Sequence, residues 1–475
     1  MNSFNKNKKR VLLLNPAKDD RFDVSRIHMG LTLLGEILVS KGHEVLVIDY
    51  AFLRGIKNKE IAPEIEEVIK DFKPDVVGIS VFTYLFDECQ EFIEKISKFT
   101  HIPIILGGPH FSIFPEDFSK DIRVSYIVIG EGEKVIADLA ERAKKEQSPV
   151  IIQASLPFAF EIPAINLDIV FGAKHASVYQ IQLSRGCPYN CSFCNIKFVA
   201  GKQMRIRNLD DCFSQIVEAK KKYPNINTIT ITDDCPMIDK ERFKKFLIMF
   251  KKANINCKLV IDNVRANFID EEIVKLYKEA GGNHICLGVE SGDKDVFLKI
   301  NKGETLDEIK EAAELVRKRG LALGLCFIIG LPMDNPKRNR NSIKFAKSLK
   351  PDYIFWNMCA PWPKTEAYGW FKKYGKIGEL RNFSTLIDPG LNFKEPICES
   401  SDFSKEERIR AWLVSNLETH NFFIKKISDF KKLFYLSKKY KIYDSLLIYF
   451  SGLPLKVSRI IVLKTKRKLQ KTETT

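Results

Sequence analysis

The sequence predicts an α/β protein: an N-terminal doubly wound parallel sheet, then a partial (β/α)6 barrel of the TIM type, then a helical C-terminal region. Two blocks in which β-branched runs alternate with helical stretches predict the first two units, and the loss of that alternation after Ser404 predicts the third. At 475 residues the chain is too long for one ordinary core. Its 45% hydrophobic and 29% charged residues are the balance of a globular protein.

From Arg10 to about residue 147, the runs VLLLN, EVLVID, DVVGIS, PIILGG and YIVIG are five candidate strands. Between them Gly30–Ser40, Glu60–Phe72, Leu85–Phe99 and Glu131–Lys145 carry apolar residues at helical spacing. A sheet of this kind binds ligands beyond the carboxyl ends of its strands. Glycines fall there, with Gly107-Gly108 after the fourth run and Gly130-Glu131-Gly132 after the fifth. Such glycines serve a turn or let a ligand approach the backbone. The first βα turn has no GxGxxG phosphate loop, which speaks against a generic nucleotide site.

Residues 148–177, with Pro149, Pro157 and Pro163 and no clear period, read as a linker that packs on its neighbours. The second block follows with six strand candidates: VYQIQLS, NTITIT, CKLVID, HICLGV, LALGLCFIIG and YIFWNM. Leu209–Tyr223, Lys240–Ala253, Glu271–Ala280 and Leu306–Arg319 are the helical segments among them. Active sites of parallel barrels sit at the strand carboxyl ends. Beyond Ser404 the stretch KKLFYLSKKYKIYDSLLIYFSGLPLKVSRIIVLK interleaves lysines and aromatics, an amphipathic helix pair broken at Gly452-Leu453-Pro454.

The formal charge of +16 gathers at the C-terminus, where residues 425–475 hold 14 Lys or Arg against three acids. Such a tail fits peripheral contact with a membrane surface or an acidic partner, and equally a solvated basic helix. No apolar run approaches the roughly 20 residues that cross a bilayer. The apolar stretch after the basic N-terminus is too short for a secretory signal. A cytoplasmic protein, with membrane-peripheral contact through the tail, is the expectation.

Three of the 11 cysteines stand within eight residues, in Cys187-Pro-Tyr-Asn-Cys191-Ser-Phe193-Cys194, on the loop after the first barrel strand. The other eight are scattered singly and read as small buried hydrophobes with no chemical role. Soft thiolates select zinc, Cu(I) or iron–sulfur. A structural zinc site asks for a fourth Cys or His at compact spacing, and none follows Cys194 before Cys212. Three ligands leave one metal position open, and an iron–sulfur cube uses that vacancy to bind a substrate or cofactor.

The spacing Cx3Cx2C, with Phe193 before the last cysteine, resembles the signature of the radical S-adenosylmethionine (SAM) family. The resemblance implies a 4Fe-4S cluster on Cys187, Cys191 and Cys194 whose open iron binds SAM. One electron from the cluster then cleaves SAM to methionine and a 5′-deoxyadenosyl radical. It extends through most of residues 178–368, where DNVRANFIDEEIVKLYKEAGGNHICLGVESGDKDVFLKINKG and LGLCFIIGLP resemble members that carry a cobalamin domain. By that similarity Phe193, Arg265, Glu290 and Ser291 contact SAM; a guanidinium suits its carboxylate and carboxylate or hydroxyl groups suit its ribose. Thr232-Asp233-Asp234 replaces a glycine- and acid-rich segment of the family, so Asp233 and Asp234 join the candidates, with a helix N-cap before residues 239–250 as the alternative.

GISVFTYLFDE, IILGGPHFSIFPE and YIVIGEGE together resemble the Rossmann-like cobalamin-binding domain that precedes the barrel in this subgroup. Ser80, Gly107, Gly108, Gly130, Glu131 and Gly132 are the implied cobalamin contacts. No Asp-x-His-x-x-Gly sequence occurs in residues 1–150, so cobalamin is expected to lack a histidine below its cobalt. Arg26-Ile-His-Met-Gly30-Leu31 replaces the Pro-Pro-x-Gly-Leu of relatives, which places His28 near the cofactor or in packing. The implied organisation is a cobalamin-binding domain over 1–147, a linker over 148–177, a radical SAM barrel over 178–395 and a basic helical region over 396–475.

The resemblance implies an enzyme, foremost a methyltransferase that passes a methyl group from methylcobalamin to an unactivated carbon or to phosphorus. An oxidative cyclase or ring-rearranging enzyme of the same domain order is the alternative. A tRNA methylthiotransferase would carry three further N-terminal cysteines, and residues 1–150 hold only Cys89, so nucleic acid is not an expected partner. A non-enzymatic cobalamin sensor would have no need of the cysteine loop. The expected partners are a small-molecule or lipid-like substrate and an electron donor such as flavodoxin or ferredoxin. Trp356, Trp362 and Trp370 are candidates for a substrate pocket, with core packing the commoner fate of such residues.

Overall fold

The computed structural model describes residues 8–17, 26–56, 62–382, 395–420 and 427–451. The five expected N-terminal runs are strands β1 (Arg10–Asn15), β2 (Glu44–Asp49), β3 (Val76–Ser80), β4 (Ile104–Gly107) and β5 (Tyr126–Ile129). A sixth, β6 (Val150–Gln153), pairs with β5, and all pair in parallel in the order β2-β1-β3-β4-β5-β6. Every residue of the central strand β3 is buried, as a sheet covered on both faces requires. β6 lay in the expected linker because four residues on a sheet edge, three of them exposed, carry no alternation. Further along the same segment, Val47 N–H donates to Ile169 O and Phe171 N–H to Val47 O, so the chain also docks on the β2 edge.

Helices Met29–Ser40, Ile65–Phe72, Phe86–Phe99 and Ile136–Arg142 lie between the strands. The second begins five residues later than expected, and Glu60 lies outside the described residues. The fourth is preceded by a 3₁₀ turn at Gly132–Lys134. A short helix at Tyr50–Gly55, capped by Asp49, was not anticipated. The strand order reverses between β1 and β3, the switch point at which such sheets bind ligands.

The barrel opens with β7 (Val178–Ile181) and β8 (Ser184–Arg185), the latter antiparallel to β9 (Arg205–Ile206). That short pairing closes the base of the cysteine loop. β10 (Thr228–Ile231), β11 (Lys258–Ile261), β12 (His284–Glu290), β13 (Ala322–Ile329) and β14 (Tyr353–Met358) match the expected runs. They form two parallel sheets, β11-β10-β7 and β12-β13-β14, joined by isolated bridges Leu259–Gly282 and Val264–Leu287. Among the described residues β7 and β14 are therefore the outer strands of a partial barrel. Asn208, Asp239, Asp270 and Thr305 cap the intervening helices, whose ends fall within one residue of the sequence expectation.

An antiparallel pair, β15 (Gly375–Ile377) with β16 (Cys398–Ser400), precedes the helix Lys405–Glu418, which starts in a Ser404–Glu407 capping box. That helix seals the barrel beside β14: Trp412 Nε1 donates to Trp356 O at 2.8 Å and Arg408 Nη1 to Gly330 O at 2.8 Å. Trp356 is buried against Phe327 and belongs to the core. Helices Ile427–Lys439 and Tyr443–Ser451 follow, and the expected break at Gly452-Leu453-Pro454 lies outside the described residues. No helix among the described residues is long and apolar enough to cross a membrane.

Candidate functional site

A cavity of ≈ 300 Å³ opens at the switch point, between the first sheet and the barrel. Ser80, Gly107, Gly108, Gly130, Glu131 and Gly132 all line it. Gly108 holds φ at +107°, and a Cβ there would stand 2.8 Å from the Val81 backbone, so only glycine fits the turn that forms the rim. The deep wall is apolar, built from Leu13, Leu34, Gly78, Ile105, Val128 and Ile136. At the mouth, His28 Nδ1 accepts the Leu31 N–H at 3.2 Å while Nε2 lies 2.9 Å from Ser80 Oγ. Burial pushes the His28 pKa down, so the imidazole is neutral and its one proton sits on Nε2. The Asp49 carboxylate accepts the His28 N–H and the Asn15 amide, each at 2.7 Å.

The opposite wall belongs to the barrel and includes Gln182, Arg185, Asp234, Ile196, Val199 and Ala200. Arg185 Nη1 donates to Glu131 at 2.8 Å and to Glu133 at 2.5 Å, and its Nε to Gln182 at 2.7 Å. Arg205 pairs with Glu131 as well, so two buried cations meet two half-buried anions. Asp234 accepts the Gly186 N–H at 2.8 Å.

Cys187 is buried, and Cys191 and Cys194 are half-buried. Their loop is pinned by the Ser192 N–H to Ile300 O and by the Cys187 N–H to Gly201 O. The Cys235 thiol bonds to the Cys187 sulfur and, with the Tyr189 N–H and Arg265, brings the Cys187 pKa down to about 7 against its burial. Burial pushes Cys194 up to about 12 and Cys191 upward. Among the described residues no three His, Cys, Asp or Glu side chains converge on one metal ion. An iron–sulfur cube asks each thiolate for a different iron, so three separated soft donors on a pinned loop fit that group better than a compact zinc site.

The expected SAM contacts divide. Arg265 is buried, stacks over Tyr189 at 3.5 Å and donates to Lys302 O at 2.5 Å. Glu290 holds a left-handed φ of +66° beside an irregularity in the β12–β13 register, which re-aims its side chain toward Lys302 at 3.3 Å. Phe193 packs against the core beside the cysteines. The Ser291 hydroxyl is held between Ser342 Oγ and the Asp293 N–H. Asp233 accepts the Leu183 N–H at 2.7 Å and the Ser184 hydroxyl at 2.6 Å, and burial raises its pKa to about 7. Neither Ser291 nor Asp233 has its polar atoms free in this arrangement. The helix cap at residue 239 is Asp239 itself and not this acid pair.

Sequence reasoning missed Arg185, Arg205, Glu133, Lys302 and Cys235. Lys302 stands in the closing INKG of the long stretch already singled out, and Cys235 directly follows Asp233-Asp234. Glu133 closes the quoted YIVIGEGE, but neither it nor the arginines signalled their pairing, since the partners lie 52 or more residues away.

Comparison with known proteins places two families on the chain: the radical SAM superfamily over residues 181–346 and the B12 binding domain over residues 25–140. An uncharacterized methyltransferase of Pyrococcus horikoshii is 27% identical over 84% of this chain and 92% of its own length. The anaerobic magnesium-protoporphyrin IX monomethyl ester cyclase of Rubrivivax gelatinosus is 24% identical over 76% of this chain and 68% of its own. The radical SAM methyltransferase TsrM of Kitasatospora setae, solved with cobalamin and a 4Fe-4S cluster, superposes with a TM-score of 0.61 at 19% identity, covering 76% of this chain and 77% of that one. That last likeness is one of fold.

Proposed function

We propose that the chain, which matches the radical SAM superfamily over residues 181–346 and the B12 binding domain over residues 25–140, is a methyltransferase whose methyl group comes from cobalamin. Its cofactors are a 4Fe-4S cluster, SAM and cobalamin. When bound, these groups supply a hydrogen-abstracting adenosyl radical and a transferable methyl group.

The observation that carries the reading is the shared wall: the cavity at the switch point is closed by residues on both flanks of the cysteine loop. In this reading Cys187, Cys191 and Cys194 hold the cluster. Arg265 takes the SAM carboxylate, Glu290, itself held by Lys302, meets its hydroxyl and amino groups, and Phe193 and Asp234 border it. Asp233 and Ser291 act from behind, since their hydrogen bonds fasten the chain on which the contacts stand. The glycines Gly107, Gly108, Gly130 and Gly132 let the corrin approach the backbone, with Ser80 and Glu131 at its edge. The apolar slot behind them suits the flat base of a cobalamin nucleotide. The largely apolar lining of the cavity limits the water that reaches reactive species.

Anaerobic reconstitution, followed by SAM, a reductant and a cell extract as substrate source, tests this. Both 5′-deoxyadenosine and S-adenosylhomocysteine are expected products. Deoxyadenosine alone would sink methyl transfer and favour a cyclase or rearrangement, the second reading that the cyclase relative supports. Neither product would return the sensor to consideration. A small-molecule or lipid-like substrate, a flavodoxin or ferredoxin as donor, and membrane contact through the tail complete the proposal.

A further inference from the structure

We infer that Arg185 is a positioning residue that couples the cobalamin cavity to the cysteine loop, so that each cofactor binds more tightly when the other is in place. The inference rests on the cofactor assignment above and adds how the two sites act on one another.

Three observations carry it. The cavity wall is drawn from both flanks of the loop: Arg185 stands two residues before Cys187, and Ile196, Val199 and Ala200 follow Cys194. A ligand filling the cavity therefore presses on both ends of the segment that presents the three thiols. Arg185 is also the tie between that segment and the loop after β5, with Glu131 and Glu133 both on its Nη1. Its side chain is 8% exposed and theirs are 13% and 7%, so the pairing is desolvated and resists displacement. Finally, the link from Arg185 to Cys187 is stiff. Gly186 between them has φ +92°, its N–H is held by Asp234, and a Cβ there would lie 2.4 Å from Gln203 O. Movement of the Glu131–Glu133 loop thus passes to Cys187 rather than being absorbed. Coupling between two bound ligands is reciprocal, so it is visible from either side.

The test uses the full chain, cluster-free and cluster-reconstituted, titrated anaerobically with hydroxocobalamin. The cluster-loaded wild type is expected to bind about tenfold more tightly. Arg185→Gln should bring the two affinities together, Glu133→Gln, which leaves the Glu131 tie, should narrow the gap between them, and Arg185→Lys should restore most of the difference. With excess dithionite, which keeps the cluster reduced while the added hydroxocobalamin becomes cob(II)alamin, the EPR signal of the cluster should shift on cobalamin addition in the wild type and in Arg185→Lys, but not in Arg185→Gln. Arg185→Gln leaves the Glu133 carboxylate short of its cation while Glu131 keeps Arg205, so Glu133→Gln, which removes a charge without orphaning one, guards against simple unfolding, checked by a thermal melt. Equal affinities in the two wild-type forms would overturn the coupling alone. Full coupling in folded Arg185→Gln and Glu133→Gln would remove Arg185 from it. Failure of hydroxocobalamin to bind either form would overturn the cofactor reading and the coupling with it.

Discussion

The Nε2 atom of His28 stands 2.9 Å from the Ser80 hydroxyl while its Nδ1 is already taken by the Leu31 amide. A ring nitrogen must be unprotonated to bind cobalt, and in this arrangement Nδ1 is occupied by the Leu31 N–H while Nε2 carries the proton toward Ser80 Oγ. Cob(II)alamin bound to the protein should accordingly show an EPR spectrum without nitrogen splitting from an imidazole, and His28→Ala should leave that pattern unchanged. Nitrogen splitting that vanishes in His28→Ala would show that the hydrogen bonds rearrange to make His28 a ligand.

Gly108→Ala places a methyl 2.8 Å from the Val81 backbone at a φ of +107°. Strain of this kind costs about 1–3 kcal/mol, and it distorts the rim where the corrin would lie. Hydroxocobalamin affinity should drop by about tenfold or more, while the cluster absorbance of the reconstituted protein persists. Unchanged cobalamin affinity would argue that the ligand does not reach this rim.

Asp233 gives a pH signature. Burial raises its folded-state pKa to about 7, above the ordinary carboxylate value near 3.9. Between those values the native state holds a proton that the unfolded chain has released, so stability falls as pH rises from about 4 to about 7 and levels off above. The contribution is at most about 1.4 kcal/mol per pH unit. Thermal melts from pH 5 to 8 should show a shallower decline in Asp233→Asn than in the wild type, and parallel curves would refute the assignment.

Cys187, with its pKa lowered to about 7 chiefly by the Cys235 thiol, should be a thiolate at pH 7.5 while Cys191 and Cys194 remain protonated. In cluster-free protein the iodoacetamide labelling of Cys187, mapped by mass spectrometry, should rise as pH passes about 7 while that of Cys191 and Cys194 does not, a comparison made within each site because Cys187 is the more buried. Cys235→Ala should slow that labelling about tenfold, since thiolate fraction governs the rate. The same pH profile at all three cysteines would contradict the lowered value.

Residues 425–475, with 14 cations against three acids, should add affinity for anionic vesicles. Flotation of the full chain and of a chain ending at residue 424 compares them. Identical partitioning would remove the membrane from the account.

What could be read in advance was whatever repeats locally. The six barrel strands and the bounds of their helices follow from period and capping, as Asp239 and Thr305 illustrate. The cysteine loop and the glycine turns are local motifs too, and all six expected cobalamin contacts line one cavity. Short or distant pairings were invisible: β6 has four residues on an exposed edge, and β15 finds β16 across 20 intervening residues. The same limit hid the Arg185–Glu133 pair, separated by 52 positions. It also hid the internal engagements of Asp233 and Ser291, because a side chain's availability depends on neighbours that composition does not name.

The two cofactor units are not interchangeable parts. Since the lid of the cavity is carried by residues 185 and 196–200, a chimera joining this N-terminal sheet to the barrel of a relative would inherit the relative's lid. Its graft would succeed only if the crossover lay beyond residue 205, or if the arginines at 185 and 205 travelled with the glutamates they face.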